Sequence, residues 1–237
     1  MRLLLLISIA CFFSGFNAPP KKVRITIKFV HIANGRTLEQ DGIYTNPFGE
    51  NYSVSQLKYY VSNFTLTEQN ETENPGKNIN LVNAFGNDSM RIETSPGAKL
   101  MASFMLGVDS IYNCSGAQSG ALDPLNGMFW TWNTGYIFFK LEGSSAVSTA
   151  NRQRIEHHIG GYTGPNKAMR MITMPVSFYA IENGVLRIEM NLDNYWYGNS
   201  TLKILAYPTI TAPGEMAKKA ADNFDKIWSS PLEVYPD

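Results

Sequence analysis

Three histidines and one closely spaced pair of tryptophans are the residues in this 237-residue chain whose types invite chemistry. Imidazole carries protons near neutral pH and ligates transition metals. His31 stands at the end of the alternating stretch "VRITIKFVH". His157 and His158 adjoin in "RIEHHIGGYTG", where an extended backbone points them to opposite faces. At most one of that pair joins His31 in a common site without a local bulge. A single histidine at a strand end is commonly a surface or hydrogen-bonded residue, so spacing alone makes a weak metal signal. Trp130 and Trp132 lie two residues apart in "GMFWTWNTGY"; if that segment is extended, they share a face with Met128. Such a pair serves either as aromatic core packing or as a patch for sugar stacking or redox chemistry. Spacing does not decide between the two.

Enzyme constellations are sparse. The sequence has no G-x-S-x-G elbow, no phosphate-binding loop of the Walker type and no H-E-x-x-H helix. Asp109, Asp123 and Glu142 are the carboxylates that could pair as acid and base on a glycoside, but carboxylates beside Gly and Asn commonly cap turns. The chain reads as a binding protein and not as an enzyme. The stretch "GVDSIYNCSGAQSGALDPLNG" offers Asp109, Asn113 and Asp123 as oxygen ligands, with Gln118 and Asn126 nearby. It is read either as a calcium-stiffened loop or as a loop closed by its own Asx turns.

The elements that must position these residues are mostly strands. In "VRITIKFV", Val23, Ile25, Ile27 and Phe29 alternate with polar residues. Similar segments are "LKYYVSNFTLT", "AKLMASFMLG", "GYIFFKLEG", "AMRMITMPVSF", "GVLRIEMNL" and "STLKILAY". Turn clusters such as "ENPGKN" and "ENGV" punctuate them. This pattern predicts an all-β fold, an antiparallel β-sandwich or distorted barrel. One helix is predicted near the C-terminus. In "GEMAKKAADNFDKIW", Ala217, Ala220, Ala221, Phe224 and Trp228 form an apolar stripe that would pack a lid on the sandwich.

The opening "MRLLLLISIACFFSGFNAPP" has a positive Arg2, an apolar run too short to span a bilayer, and a Pro–Pro stop. It reads as a signal peptide over residues 1–18. Cys11 after "ISIA" faintly resembles a lipoprotein signal, so the mature chain is either free or lipid-anchored. Residues 21–237 then form a single exported domain with no further membrane span. Apart from Cys11 the chain has only Cys114, so no internal disulfide staples it. Apolar residues at 44% suffice for a sizeable core. Twenty basic and twenty acidic residues cancel, without a basic stripe, which argues against nucleic acid as a partner.

The segments "LKYYVSNFTL", "GVDSIYNCSGAQSGALDPLNGMFWTWNTGYIFFKLEG", "HIGGY" and "ADNFDKIW" together resemble, in this order, the MbnP-like family of periplasmic copper-binding proteins. The resemblance covers most of the chain after the leader. It implies an all-β protein, periplasmic or on the outer surface, acting in copper uptake or handling. Characterised relatives bind copper through two histidines and a tryptophan oxidised to kynurenine, with a di-haem peroxidase-like (MbnH-like) protein implied as the oxidising partner. Carried over residue by residue, the resemblance implies His31, His158 and Trp132 as copper ligands, with Trp130 and His157 as alternates. An intact indole keeps its nitrogen lone pair in the ring and only donates a hydrogen bond. Ring opening releases an aryl amine that can ligate, and Cu(I) accepts such a nitrogen beside imidazole. His157 departs from the pattern as a rival ligand. The alternative is a β-sandwich module for glycans or proteins, with the tryptophans as a stacking platform and a calcium-stabilised loop.

Overall fold

The computed structural model describes residues 22–68, 78–94, 99–132, 135–177 and 180–230. The expected leader and Cys11 lie outside the described residues. In chain order the strands are β1 (Val23–Ala33), β2 (Arg36–Thr37), β3 (Ile43–Thr45), β4 (Asn51–Glu68), β5 (Ile79–Asn83), β6 (Ser89–Thr94) and β7 (Lys99–Leu106). Helix α1 (Ser110–Cys114) precedes β8 (Phe129–Trp130), β9 (Gly135–Ser144), β10 (Arg154–Gly160), β11 (Arg170–Ser177), β12 (Ile181–Glu182) and β13 (Val185–Asn191). The described chain ends with α2 (Leu192–Trp196), β14 (Thr209–Ile210), α3 (Glu215–Ala221) and β15 (Trp228–Ser229).

Two sheets result, and the protein is all-β. The larger runs β11-β7-β4-β9-β10-β14, with β3 and β5 also paired to β4 and β8 to β9. The smaller runs β12-β13-β1-β2, with β6 also on β1 and β15 on β13. Most pairings are antiparallel, as the alternation predicts. Two are parallel, β1 with β13 and β10 with β14.

The core lies between the sheets. On β1, Ile25, Ile27, Phe29, His31 and Ala33 are all buried, so the buried phase continues through His31 to the end of the strand. Phe29 meets Tyr59 and Phe104 edge-on. Tyr59, Phe139, Tyr195 and Phe224 extend the aromatic layer across the larger sheet. Full burial of side chains this large supplies roughly 1.5–3 kcal/mol each before entropy is counted.

Two predicted elements differ. "STLKILAY" is no strand: beyond an isolated bridge between Thr201 and Tyr197 it turns over. Its amides go to a side chain instead of a ladder. The buried Glu50 carboxyl group accepts from the backbone N–H of Ile204 at 2.8 Å and of Leu205 at 3.0 Å, and from Asn46 Nδ2 at 2.6 Å. The C-terminal helix is real, and its Ala217, Ala220 and Ala221 are buried in the packed lid, but it stops at Ala221. Asn223, fully buried, donates its amide to the carbonyls of Tyr195 and Ser200. Those bonds turn the chain, and Trp228 arrives on a strand paired with Met190.

Glu50 therefore holds an irregular segment that propensity would extend. Glu50→Ala leaves buried amides without an acceptor, a loss of about 2–4 kcal/mol. Urea unfolding of the variant should show its midpoint lowered with an unchanged denaturant slope; an unaltered midpoint would contradict the role.

Candidate functional site

The central strands of the larger sheet, β4 and β9, have runs buried on both faces, and each face has its own cover. Along β4, Leu57, Tyr59 and Val61 face the smaller sheet, while Lys58 and Tyr60 face the other way. That outer face is covered by the segment from Gly107 to Trp132. Tyr60 donates its hydroxyl to Ala121 O at 3.0 Å, and Tyr136 donates to Leu122 O at 2.9 Å. Lys58 Nζ donates to Asn126 O and Lys140 Nζ to Gly127 O, both at 3.2 Å. Of the segments that carry the family resemblance, "LKYY", "GVDS…FWTW", "KLEG" and "HIGG" thus contribute to this face, whereas "ADNFDKIW" packs on the inner one through Phe224 and Trp228.

Register builds the row beneath the cover. His158 pairs with Lys140 across β10 and β9, and Lys140 pairs with Lys58 across β9 and β4. The His158 Nε2 lies 2.8 Å from Glu142 Oε1, and Lys140 Nζ lies 3.1 Å from the same oxygen. The hydrogen bond from His158, then that from Lys140, holds the Glu142 carboxyl down to about 2 against the opposing effect of burial. Glu142 is therefore an anion and an acceptor at any ordinary pH. No hydrogen bond is made at the His158 Nδ1 among the described residues.

Two residues further along β10, Gly160 passes beneath Trp130 so closely that a side chain there would strike the indole and the Tyr136 carbonyl. Trp130 is buried, 5% exposed, and Trp132 is 65% exposed. The extended run ends at Trp130, and Trp132 sits in a turn, so the condition under which both would share a strand face is not met. Their rings nevertheless stay together, with centroids 6.0 Å apart and planes at 52°. Beside Trp130 opens a cavity of about 300 Å³, walled by Asn113, Tyr136, Gly161, Tyr162 and Pro213.

The other two histidines are elsewhere. His31 points between the sheets, its Nε2 3.0 Å from the Tyr59 hydroxyl. Burial lowers it to about 4, an effect that the Lys28 charge adds to and the Asp88 charge opposes. His157 also faces inward, with Nδ1 2.7 Å from the Tyr195 hydroxyl and Nε2 2.8 Å from Tyr207 O. Both its nitrogens are engaged, and burial lowers it to about 4 despite the Tyr207 carbonyl. His31 and His158 thus stand on opposite faces of the larger sheet. The structure brings His158 and the tryptophan pair to one face and does not bring His31 there. That face offers one unengaged imidazole nitrogen beside two indoles that cannot ligate as they stand, and the three expected ligands do not come together.

Two of the oxygen groups nominated for calcium, those of Asn113 and Asp123, serve the local backbone. Asn113 donates to the carbonyls of Val108 and Asp109 and accepts from the Tyr136 N–H. Asp123 accepts from the Leu125 N–H, and Asn126 donates to the carbonyls of Gly120 and Ala121. Among the described residues, Asp109 and Asp123 belong to no group of three acidic, histidine or cysteine side chains able to hold a metal ion. Sequence reasoning passed over Lys58 and Lys140. Their signal was phase: each is a lysine on the alternate face of a strand whose other face is buried.

An all-β sandwich with a tryptophan-bearing cover over one lysine, glutamate and histidine row defines the class of protein. The MbnP family model matches residues 22–212, and the chain belongs to that family. Among solved structures it resembles MbnP from Methylosinus trichosporium, at a TM-score of 0.56 and 14% identity, over 77% of this chain and 80% of that one. At that identity the likeness is one of fold. Comparison with curated proteins returns no match.

Because His31 and His157 are held neutral, the unfolded chain takes up protons between pH 6.5 and 4 that the folded chain does not. Stability is then lost as pH falls through that window, by up to about 3 kcal/mol per histidine. Unfolding free energies measured from pH 7 to 4.5 should fall accordingly. His157→Ala should lower the value at pH 7 and flatten the slope; a pH-independent wild type would contradict the buried neutral imidazoles.

Proposed function

We propose that this member of the MbnP family is an exported copper-binding protein, not itself an enzyme, that handles Cu(I) through His158 and a tryptophan opened to kynurenine. The observation that carries this reading is the Trp130–Trp132 pair, one ring packed over β10 and the other exposed, on the face that carries His158. The exposed ring is the one an external oxidant reaches, which favours Trp132 as the modified residue, with Trp130 as the alternate. Opening the indole adds two oxygen atoms across its C2–C3 bond. A di-haem peroxidase-like partner would supply them from two molecules of peroxide, which leave as two waters. Hydrolysis then releases formate and leaves a primary aryl amine. That amine ligates where an indole cannot.

The chain's own residues do the rest. The cover is fastened to the sheet at Asn126 and Gly127, which fixes where Met128 to Trp130 emerges. Burial of Trp130 against Gly160 holds the ring pair over β10, and His158 presents an unengaged nitrogen on the same face. No helix among the described residues is long and apolar enough to cross a membrane. Export therefore rests on the leader, and a periplasmic or outer-surface location belongs to this proposal.

Peptide mass spectrometry tests it. Protein from its native envelope should carry one ring-opened tryptophan, at Trp132, and protein made without the haem partner should carry both rings intact and bind Cu(I) weakly. In the native protein, His158→Ala should abolish stoichiometric Cu(I) binding. His31→Ala should retain binding and lose stability. Intact tryptophans in native, copper-loaded protein would overturn the kynurenine reading, and copper binding that requires His31 would move the site to the inner face.

A further inference from the structure

On the outer face, one carboxylate oxygen is shared. Glu142 Oε1 lies 2.8 Å from His158 Nε2 and 3.1 Å from Lys140 Nζ, and Lys140 also reaches the Gly127 carbonyl at the turn entering the tryptophan segment. We propose that Glu142 is the positioning residue of this site: it fixes His158 in the tautomer with the proton on Nε2, so that Nδ1 is the ligand atom offered to a thiophilic or borderline metal ion. This rests on the reading of the face as a copper site and names the atom that reading requires.

An anionic carboxylate has no proton to give, so the nitrogen facing it must be the donor. In a neutral imidazole the other nitrogen then carries the lone pair. His158 Nδ1 has no partner among the described residues, and the side chain is 17% exposed. Neither other histidine is set up this way. His157 has both nitrogens bonded, and His31 meets a neutral tyrosine hydroxyl that can accept or donate. Lys140 completes the device. Bonded to both Glu142 and Gly127 O, it refers the imidazole and the start of the tryptophan segment to one point. Carboxylates that hold a ligating histidine in this manner typically contribute 10–100-fold in metal affinity.

A neighbouring carboxylate supplies the control. Glu156 stands two residues before His158 on the same strand and is paired with Arg154 at 2.7 Å, without contact to the imidazole.

The test is long-range nitrogen–proton NMR of the histidine rings in the metal-free full chain, with Cu(I) affinity measured by competition on the native, oxidised protein. Wild type and Glu156→Gln should show His158 as a single tautomer protonated at Nε2. Glu142→Ala should average the two tautomers and weaken Cu(I) binding 10–100-fold. Glu142→Gln, whose amide oxygen still accepts, should restore most of both. A His158 protonated at Nδ1 in wild type, or a tautomer unchanged in Glu142→Ala, would overturn the proposal. If the tautomer follows Glu142 but His158→Ala still binds copper in full, the positioning stands and the copper reading beneath it falls.

Discussion

A sheet whose strands are apolar on both faces must be covered twice, because every uncovered side leaves large side chains in water. In this protein the central strands β4 and β9 of the larger sheet meet that constraint with two unlike covers. The smaller sheet closes one face with aromatic packing around Phe29, Tyr59 and Phe139. A loop-rich segment closes the other with hydrogen bonds from lysines and tyrosines to loop carbonyls. Apolar burial needs no polar counterpart; a cover of irregular backbone does, since its carbonyls and amides have no ladder to join. That difference is why the polar side chains gather on the outer face.

The polar row exists because the cover needs it. Lys58 and Lys140 bind loop carbonyls, and a second lysine contact, at Glu142, brings in a carboxylate that in turn engages His158. Lys140, one of the two side chains that fasten the loop, thus also holds the carboxylate that engages the imidazole. The inner histidines illustrate the opposite condition. His31 and His157 have polar partners but no counter-charge in contact, so burial keeps them neutral and they behave as core residues.

Much of this was legible in the residues. Period-two alternation located the principal strands, and the adjacency of His157 and His158 already separated their faces. The phase of "VRITIKFVH" also placed His31 with Ile25, Ile27 and Phe29, a signal that points inward and that the strand-end position obscured. "STLKILAY" misled because its apolar residues are buried without being paired: the Glu50 carboxyl group, 154 residues away from Ile204, takes the amides that a neighbouring strand would have taken. The helix stripe reaching to Trp228 misled for the same reason, since Asn223 redirects the chain through bonds to distant carbonyls.

Sequence by itself determined the class of fold, the alternation of the strands and the residues that mark the family, because these depend on local periodicity and on short contiguous motifs. Tertiary structure decided which of those residues meet. Register across β10, β9 and β4 put His158, Lys140 and Lys58 in one row, and a loop folded back over that row brought Trp130 onto Gly160. Register and loop return are set by contacts between residues tens of positions apart, and no local pattern along a chain encodes the partner of such a contact.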